Sequence, residues 1–136
     1  MIQYKLYTKE LEETHISDGF FEGWPNPPSK EVHRRIMENS YKAVVAIDPE
    51  TNHIIGFITI ISDGVLSAYL PLLEVIPSYR RKGIGAELVK RALEETKDLY
   101  MIDLLCNEDL QDYYEKLGMT KAKGMAIRNY ARQKGE

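Results

Sequence analysis

Between residues 41 and 76 the chain reads as three apolar runs divided by short polar turns, and this stretch limits the fold more than any other. Residues 43–47 have the character of a strand, Asp48-Pro49-Glu50-Thr51-Asn52 that of a turn, and residues 54–61 that of a second strand. Ser62-Asp63-Gly64 marks another turn, and residues 65–76 are enough for a third strand. Strands joined this tightly are expected to form an antiparallel meander. Pro71 interrupts the third of them. Proline has no N–H to give a ladder, so a bulge or a side left unpaired is expected there.

The flanks supply helices. Residues 4–7 fit a short opening strand, and residues 10–24 read as one helical turn or more followed by the aromatic loop Phe20-Phe21-Glu22-Gly23-Trp24. Pro25, Pro27 and Pro28 end any helix. Ser29 is an expected N-cap, with Glu31 well placed in the first turn. Val32, Ile36, Met37 and Ser40 share one face of a short helix over 30–40. After Pro77 the period is helical: Ile84, Leu88, Val89, Ala92 and Leu93 line one side of a helix reaching about Thr96. A strand over 99–106, a helix over 110–117 ending at Gly118, and a last strand over 125–130 complete the pattern. No regular βαβα repeat is present, so the expected fold is α+β, a mainly antiparallel sheet with helices on its faces. At 136 residues the expectation is one domain covering 1–136.

Composition excludes several classes. Cys106 is the single cysteine, which rules out an intramolecular disulfide and a cysteine-rich zinc site. No His, Asp and Glu group has metal-ligand spacing, so no metal is expected. The longest strongly apolar stretch, 54–61, falls far short of the roughly 20 residues of a spanning helix. The N-terminus lacks a basic-then-apolar leader, and the expectation is a cytoplasmic protein that does not enter membranes. A net charge of −3 argues against a general polyanion coat. Its distribution is uneven: residues 10–29 hold acids and no Lys or Arg, whereas 80–91 and 116–134 are basic. Solvated faces account for each run singly. The same spread suits an anion-binding loop near residue 80 and a surface near the N-terminus that tolerates a cation. The basic C-terminal stretch gives little footing to nucleic-acid binding, because the chain is acidic overall and has no basic aromatic face.

The segment Val75-Ile76-Pro77-Ser78-Tyr79-Arg80-Arg81-Lys82-Gly83-Ile84-Gly85-Ala86 carries the chemistry. It is a strand, a proline-marked turn, a basic glycine loop and a helix. The first helical turn has N–H groups without partners and a positive dipole end. Gly83 and Gly85 present no side chain to hold an anion away, so a pyrophosphate could rest on bare amides. An ordinary strand-to-helix turn with solvated bases fits the spacing equally well. A dinucleotide fingerprint needs a glycine at position 88, which is Leu, and a Walker loop needs Lys-Ser/Thr after Gly85, where Ala86-Glu87 stand.

The arrangement Arg80-x-x-Gly83-x-Gly85 after a strand with Val75-x-Pro77 resembles the acetyl-CoA motif of the GNAT superfamily of N-acetyltransferases. Asn107-x-x-Leu110-x-x-x-Tyr114-Glu115-Lys116-x-Gly118-Met119 resembles the family's later motif, with Leu110 for Ala and Met119 for Phe. The resemblance spans nearly the whole chain and implies acetyl-CoA as cosubstrate and direct attack of an amine on the thioester. It implies that backbone groups of Leu73 and Val75 meet the pantetheine arm, in a wedge that opens where this strand leaves the 99–106 strand. Amides and charges of Arg80, Arg81, Lys82, Gly83, Ile84, Gly85 and Ala86 would take the pyrophosphate, and Asn107 would meet pantetheine from the far wall.

A backbone N–H near Val75 is the implied donor to the thioester oxygen. Tyr114 is the implied acid at the departing sulfur, with Tyr113 its rival. Glu74 is a candidate base, though a strand carboxylate facing solvent or paired with a nearby base fits the sequence too. His33 is expected at the surface, and His15 and His53 are weaker candidates. Cys106 fits a buried small hydrophobe better than an acylated nucleophile. Glu22, Trp24 and Tyr69 are candidate acceptor-binding residues, with Phe20, Phe21 and Asp18 near them; the aromatics could equally just cover the sheet. A CoA-binding module without turnover is the alternative to an enzyme. Pairing through residues 125–130 would make a homodimer.

Overall fold

The computed structural model describes Met1–Glu136. Its strands are β1 (Gln3–Leu6), β2 (His15–Ile16), β3 (Lys42–Asp48), β4 (His53–Ser62), β5 (Ser67–Tyr69), β6 (Leu73–Val75) and β7 (Met101–Asp103). Helices α1 (Lys30–Asn39), α2 (Ile84–Glu95) and α3 (Gln111–Lys116) accompany them. The sheet runs β1-β3-β4-β5-β7, and β2 and β6 also pair with β4. This is the α+β arrangement expected. No helix is long and apolar enough to cross a membrane.

The hairpin of β3 and β4 is the centre, and nearly every residue in it is buried. Ile84, Leu88, Val89 and Ala92 of α2 cover one face, against Val44, Ala46, Ile55, Ile58 and Ile60. Met37 of α1 packs with Phe21, Val45 and Phe57 on the other. Helix α1 starts where its cap chemistry dictates: the Val32 N–H donates to Ser29 Oγ at 3.1 Å.

Four expectations change. Residues 10–24 hold no α-helix; a single 3-10 turn at Lys9–Leu11 precedes β2, which pairs in parallel with β4. The single strand over 65–76 is two strands that part at Pro71. The strand over 99–106 is laddered only across Met101–Asp103, where β5 faces it. The last strand, 125–130, is absent: residues 120–128 make no backbone–backbone hydrogen bond. Alternation favours extended backbone, but a strand also needs a neighbour to accept its ladder.

His33 also departs from expectation. It is 2% exposed, with ring centroids of Phe57, Phe20 and Phe21 at 4.3, 5.0 and 5.1 Å. Its Nε2 has no hydrogen-bond partner. Burial first, and then the Arg34 charge, lower its pKa to about 4. The unfolded chain therefore takes up this proton near pH 6.5 while the folded chain resists it. Stability from this site is complete above about pH 6.5 and is lost progressively down to about pH 4. Between pH 7 and pH 5 the wild type should lose about 2 kcal/mol more than His33→Leu, measured by urea unfolding. Equal losses in both proteins would contradict this account.

Candidate active site

Pro71 builds the site by dividing one strand between two ladders. Before it, β5 pairs in parallel with β7, and the Leu70 N–H donates to the Asp103 carbonyl at 2.9 Å. After it, β6 pairs with β4 alone, with Glu74 opposite Phe57. The Thr59 N–H donates to Leu72 O, and the Ile76 N–H to Ile55 O. By antiparallel alternation the Glu74 backbone also bonds β4, so Leu73 and Val75 turn their backbone groups away from it, towards the opening. A cavity of about 430 Å³ occupies that opening, with Leu70, Pro71 and Leu73 on one side and Cys106, Asn107, Leu110 and Tyr114 on the other.

The start of α2 lies beside β6: a Cβ on Gly85 would stand 4.0 Å from Val75 Cγ2. Arg81 and Gly83 both have left-handed backbone, at φ +64° and +81°. A Cβ on Gly83 would touch nothing within 4 Å, so its backbone angle, not crowding, is what calls for glycine. The turn leaves the N–H groups of Arg81, Lys82, Gly83, Ile84, Gly85 and Ala86 without a backbone acceptor. Gly83 offers no side-chain cap. Such a cluster at a helix N-terminus suits an anion. Arg81 and Lys82 are exposed beside it. Arg80 is more engaged than expected: its Nε donates to the Val75 carbonyl at 2.9 Å, and its guanidinium pairs with Glu22 at 3.3 Å.

Tyr114 is half-buried in the wedge wall. Burial, reinforced by Tyr113 and Cys106, pushes its phenol up to about 12, so it stays protonated at neutral pH. Tyr113 meets it edge-on at 5.1 Å but serves a different place. The Tyr113 hydroxyl lies 3.3 Å from where a Cβ on Gly85 would stand, at the amide end of α2. The two tyrosines are thus divided between the wedge and the anion site.

Glu74 lies across β6 from the wedge, on the face shared with Phe57. It neither faces open solvent nor pairs with a base at short range: its Oε1 accepts the Phe21 N–H at 2.7 Å. Burial raises its pKa, against lowering by that N–H and by Arg80. Phe21 holds left-handed backbone at φ +60°, a costly choice for an aromatic residue, and the Glu74 bond helps fix it.

The aromatic loop turns largely inward. Phe20 and Phe21 pack edge-on against Phe57 and His33, so they cover the sheet. Trp24 is half-buried against the core on the α1 side of the sheet, 5.0 Å from Phe21. Glu22 and Asp18 already hold cations, Arg80 and Lys30 respectively. Tyr69 lies by register opposite Ile61 and makes no aromatic stack with Trp24; it borders a groove beside β7. His15 and His53 stack on each other at 4.5 Å along the β2–β4 ladder.

The Acetyltransferase (GNAT) family matches residues 7–119. The chain belongs to this family. A GCN5-related N-acetyltransferase of Arabidopsis thaliana chloroplasts is 32% identical over 115 residues, which is 83% of this chain and 42% of that protein. The chain thus spans about two-fifths of that relative's length. Among solved structures, an acetyltransferase assignment from Deinococcus radiodurans is 43% identical, with TM-score 0.87 over 97% of this chain and 91% of its own. A GNAT family protein from Streptococcus pneumoniae is 28% identical, with TM-score 0.70 over 95% and 98%.

In this GNAT-family chain, two wedge residues were not expected to line the site. Arg128 reaches the cavity from a segment that reads as a strand, and Leu110 reads as packing. The sequence around Arg128 gives its charge but not the path that carries it across to the wedge. Cys106, expected as a buried small hydrophobe, is half-buried and lines the cavity.

Proposed function

We propose that the chain transfers an acetyl group from acetyl-CoA to a primary amine. The observation that carries this reading is a wedge between β6 and β7 together with six unbonded amides at the start of α2, beside Val75 of β6. A thioester-bearing arm fits the wedge, and the pyrophosphate at its other end fits the amides. Acetyl-CoA supplies the activated acyl group. The backbone of Leu73 and Val75 would hold the arm as a further strand would, and with the Val75 carbonyl taken by Arg80 its N–H would bond the acyl oxygen. Arg81 and Lys82 add charge at the amides, and Asn107 closes the wall opposite β6. Tyr114 keeps its proton and offers it to sulfur.

Glu74 accepts a proton from the incoming ammonium, directly or through water, with its second carboxylate oxygen. Burial suits it to that task by weakening its acidity. The half-buried Trp24 would form a wall on the acceptor side. The alternative is a module that binds CoA without turnover, and the protonated Tyr114 in the wedge favours the enzyme.

Thiol release from acetyl-CoA with a panel of amines, alongside calorimetric titration of acetyl-CoA, tests the reading. Binding with amine-dependent release is the expected result. Binding with no release on a broad panel would leave the module, and no binding would remove both. Glu74→Gln should lower release about tenfold or more at pH 7. The deficit should shrink towards pH 10, where the amine is already neutral. A deficit that does not depend on pH would assign Glu74 to holding the Phe21 loop.

A further inference from the structure

The turn between β3 and β4 is bonded directly to the turn that precedes α2. Asp48, the last residue of β3, organises the first of these turns. Its carbonyl accepts the Asn52 N–H at 2.7 Å and the Thr51 N–H at 3.2 Å, and its Oδ1 accepts the Glu50 N–H at 2.9 Å. These bonds fix the carboxylate, and Asp48 is only 9% exposed. The other oxygen, Oδ2, takes no part in the turn and accepts the hydroxyl of Tyr79, 31 residues further on.

Tyr79 ends the 3-10 turn Pro77–Tyr79, immediately before the loop that leads into α2. Its N–H donates to the Ile76 carbonyl at 3.0 Å, and the Lys82 ammonium stands 5.3 Å from its ring centroid. The loop beyond has few bonds of its own. Arg81 and Gly83 are both left-handed, and the N–H groups of 81–86 meet no backbone acceptor. A residue such as Arg81 keeps left-handed backbone only where its surroundings impose it. Two tethers do so. On one side Arg80 reaches the Val75 carbonyl and Glu22, but the Arg80 and Glu22 side chains are 47% and 57% exposed, which makes their pair weak. The Arg80 guanidinium is also one of the charges offered to a pyrophosphate. On the other side is the Tyr79–Asp48 bond, sheltered and charge-assisted, which uses no group that such a ligand needs.

We propose that Asp48 and Tyr79 are positioning residues for acetyl-CoA: their bond ties the loop to the β3–β4 hairpin and holds the amides of 81–86 in the anion-binding shape before the cosubstrate arrives. A loop already in that shape spares the ligand the cost of ordering it. The bond is therefore felt in affinity and not in the chemical step. This inference rests on the acetyl-CoA reading given above.

Tyr79→Phe keeps the ring beside Lys82 and removes only the hydroxyl. Calorimetric titration should show its affinity for acetyl-CoA about tenfold weaker than that of the wild type. Asp48→Ala should weaken binding about equally and the double variant no further, because both remove the same bond. Asp48→Asn, whose amide can still bond the hydroxyl, should recover most of the affinity. With an amine that supports turnover, Tyr79→Phe should raise KM for acetyl-CoA and leave kcat at saturation unchanged. Tyr79→Phe leaves the turn's own bonds to Asp48 intact, so its result stands even where Asp48→Ala fails to fold. Wild-type affinity in Tyr79→Phe would overturn the proposal. So would additive losses in the double variant, or a kcat that falls along with affinity. A wild type that binds no acetyl-CoA would overturn the acetyl-CoA reading and this inference with it.

Discussion

Gly85→Asp should weaken acetyl-CoA binding about 100-fold while the protein remains folded. The new carboxylate would stand among the free N–H groups of Ile84, Gly85 and Ala86, where the pyrophosphate is proposed to rest. Two unit charges about 4 Å apart repel by about 4 kcal/mol at a surface-like dielectric, and solvent reduces that to the range of a 100-fold loss. The fold has reason to tolerate the change. The nearest neighbour to a Cβ there is the Tyr113 hydroxyl at 3.3 Å, the far end of a side chain that can move. An acid in the first turn also suits the helix dipole. Calorimetric titration and a thermal melt, run together, separate the two effects. Unchanged affinity would place the pyrophosphate elsewhere.

Tyr114→Phe should lower the rate of thiol release about 100-fold, with acetyl-CoA affinity changed little. The hydroxyl has no protein hydrogen-bond partner, so phenylalanine leaves no polar group orphaned and the wall keeps its shape. With the phenol at about 12, the wild type should show no loss of activity from this group below about pH 10. Single-turnover release isolates the chemical step. A variant with full rate under those conditions would exclude Tyr114 as the acid.

Much of this was legible where a local pattern decides the outcome. Ser29 announces α1 because an N-cap acts within three residues, and the alternation of Ile84, Leu88 and Ala92 shows which face of α2 the sheet covers. Gly83 marks a left-handed turn for the same local reason. Pro71 was legible as a break, but not as the point after which the strand keeps its pairing with β4 and loses that with β7. That outcome depends on β7, some thirty residues further on. His33 shows the same limit. Its helix position permits solvent or core, and the choice is made by Phe20, Phe21 and Phe57, three rings brought from elsewhere in the chain. In the candidate site, motif spacing located the amides and Tyr114, whereas the Glu74–Phe21 bond and the Arg80–Glu22 pair join loops more than fifty residues apart and leave no trace in spacing.

The six amides of the α2 turn also set how this molecule takes up deuterium. The amides of β4 lie in a strand paired on both sides, and they exchange only when the sheet opens. Those of Arg81 to Ala86 are bonded to no backbone group and exchange without any opening. Whatever rests on them must slow that exchange. Isotope uptake by a peptide covering 80–87 is therefore a built-in occupancy gauge, readable before any acceptor amine has been found.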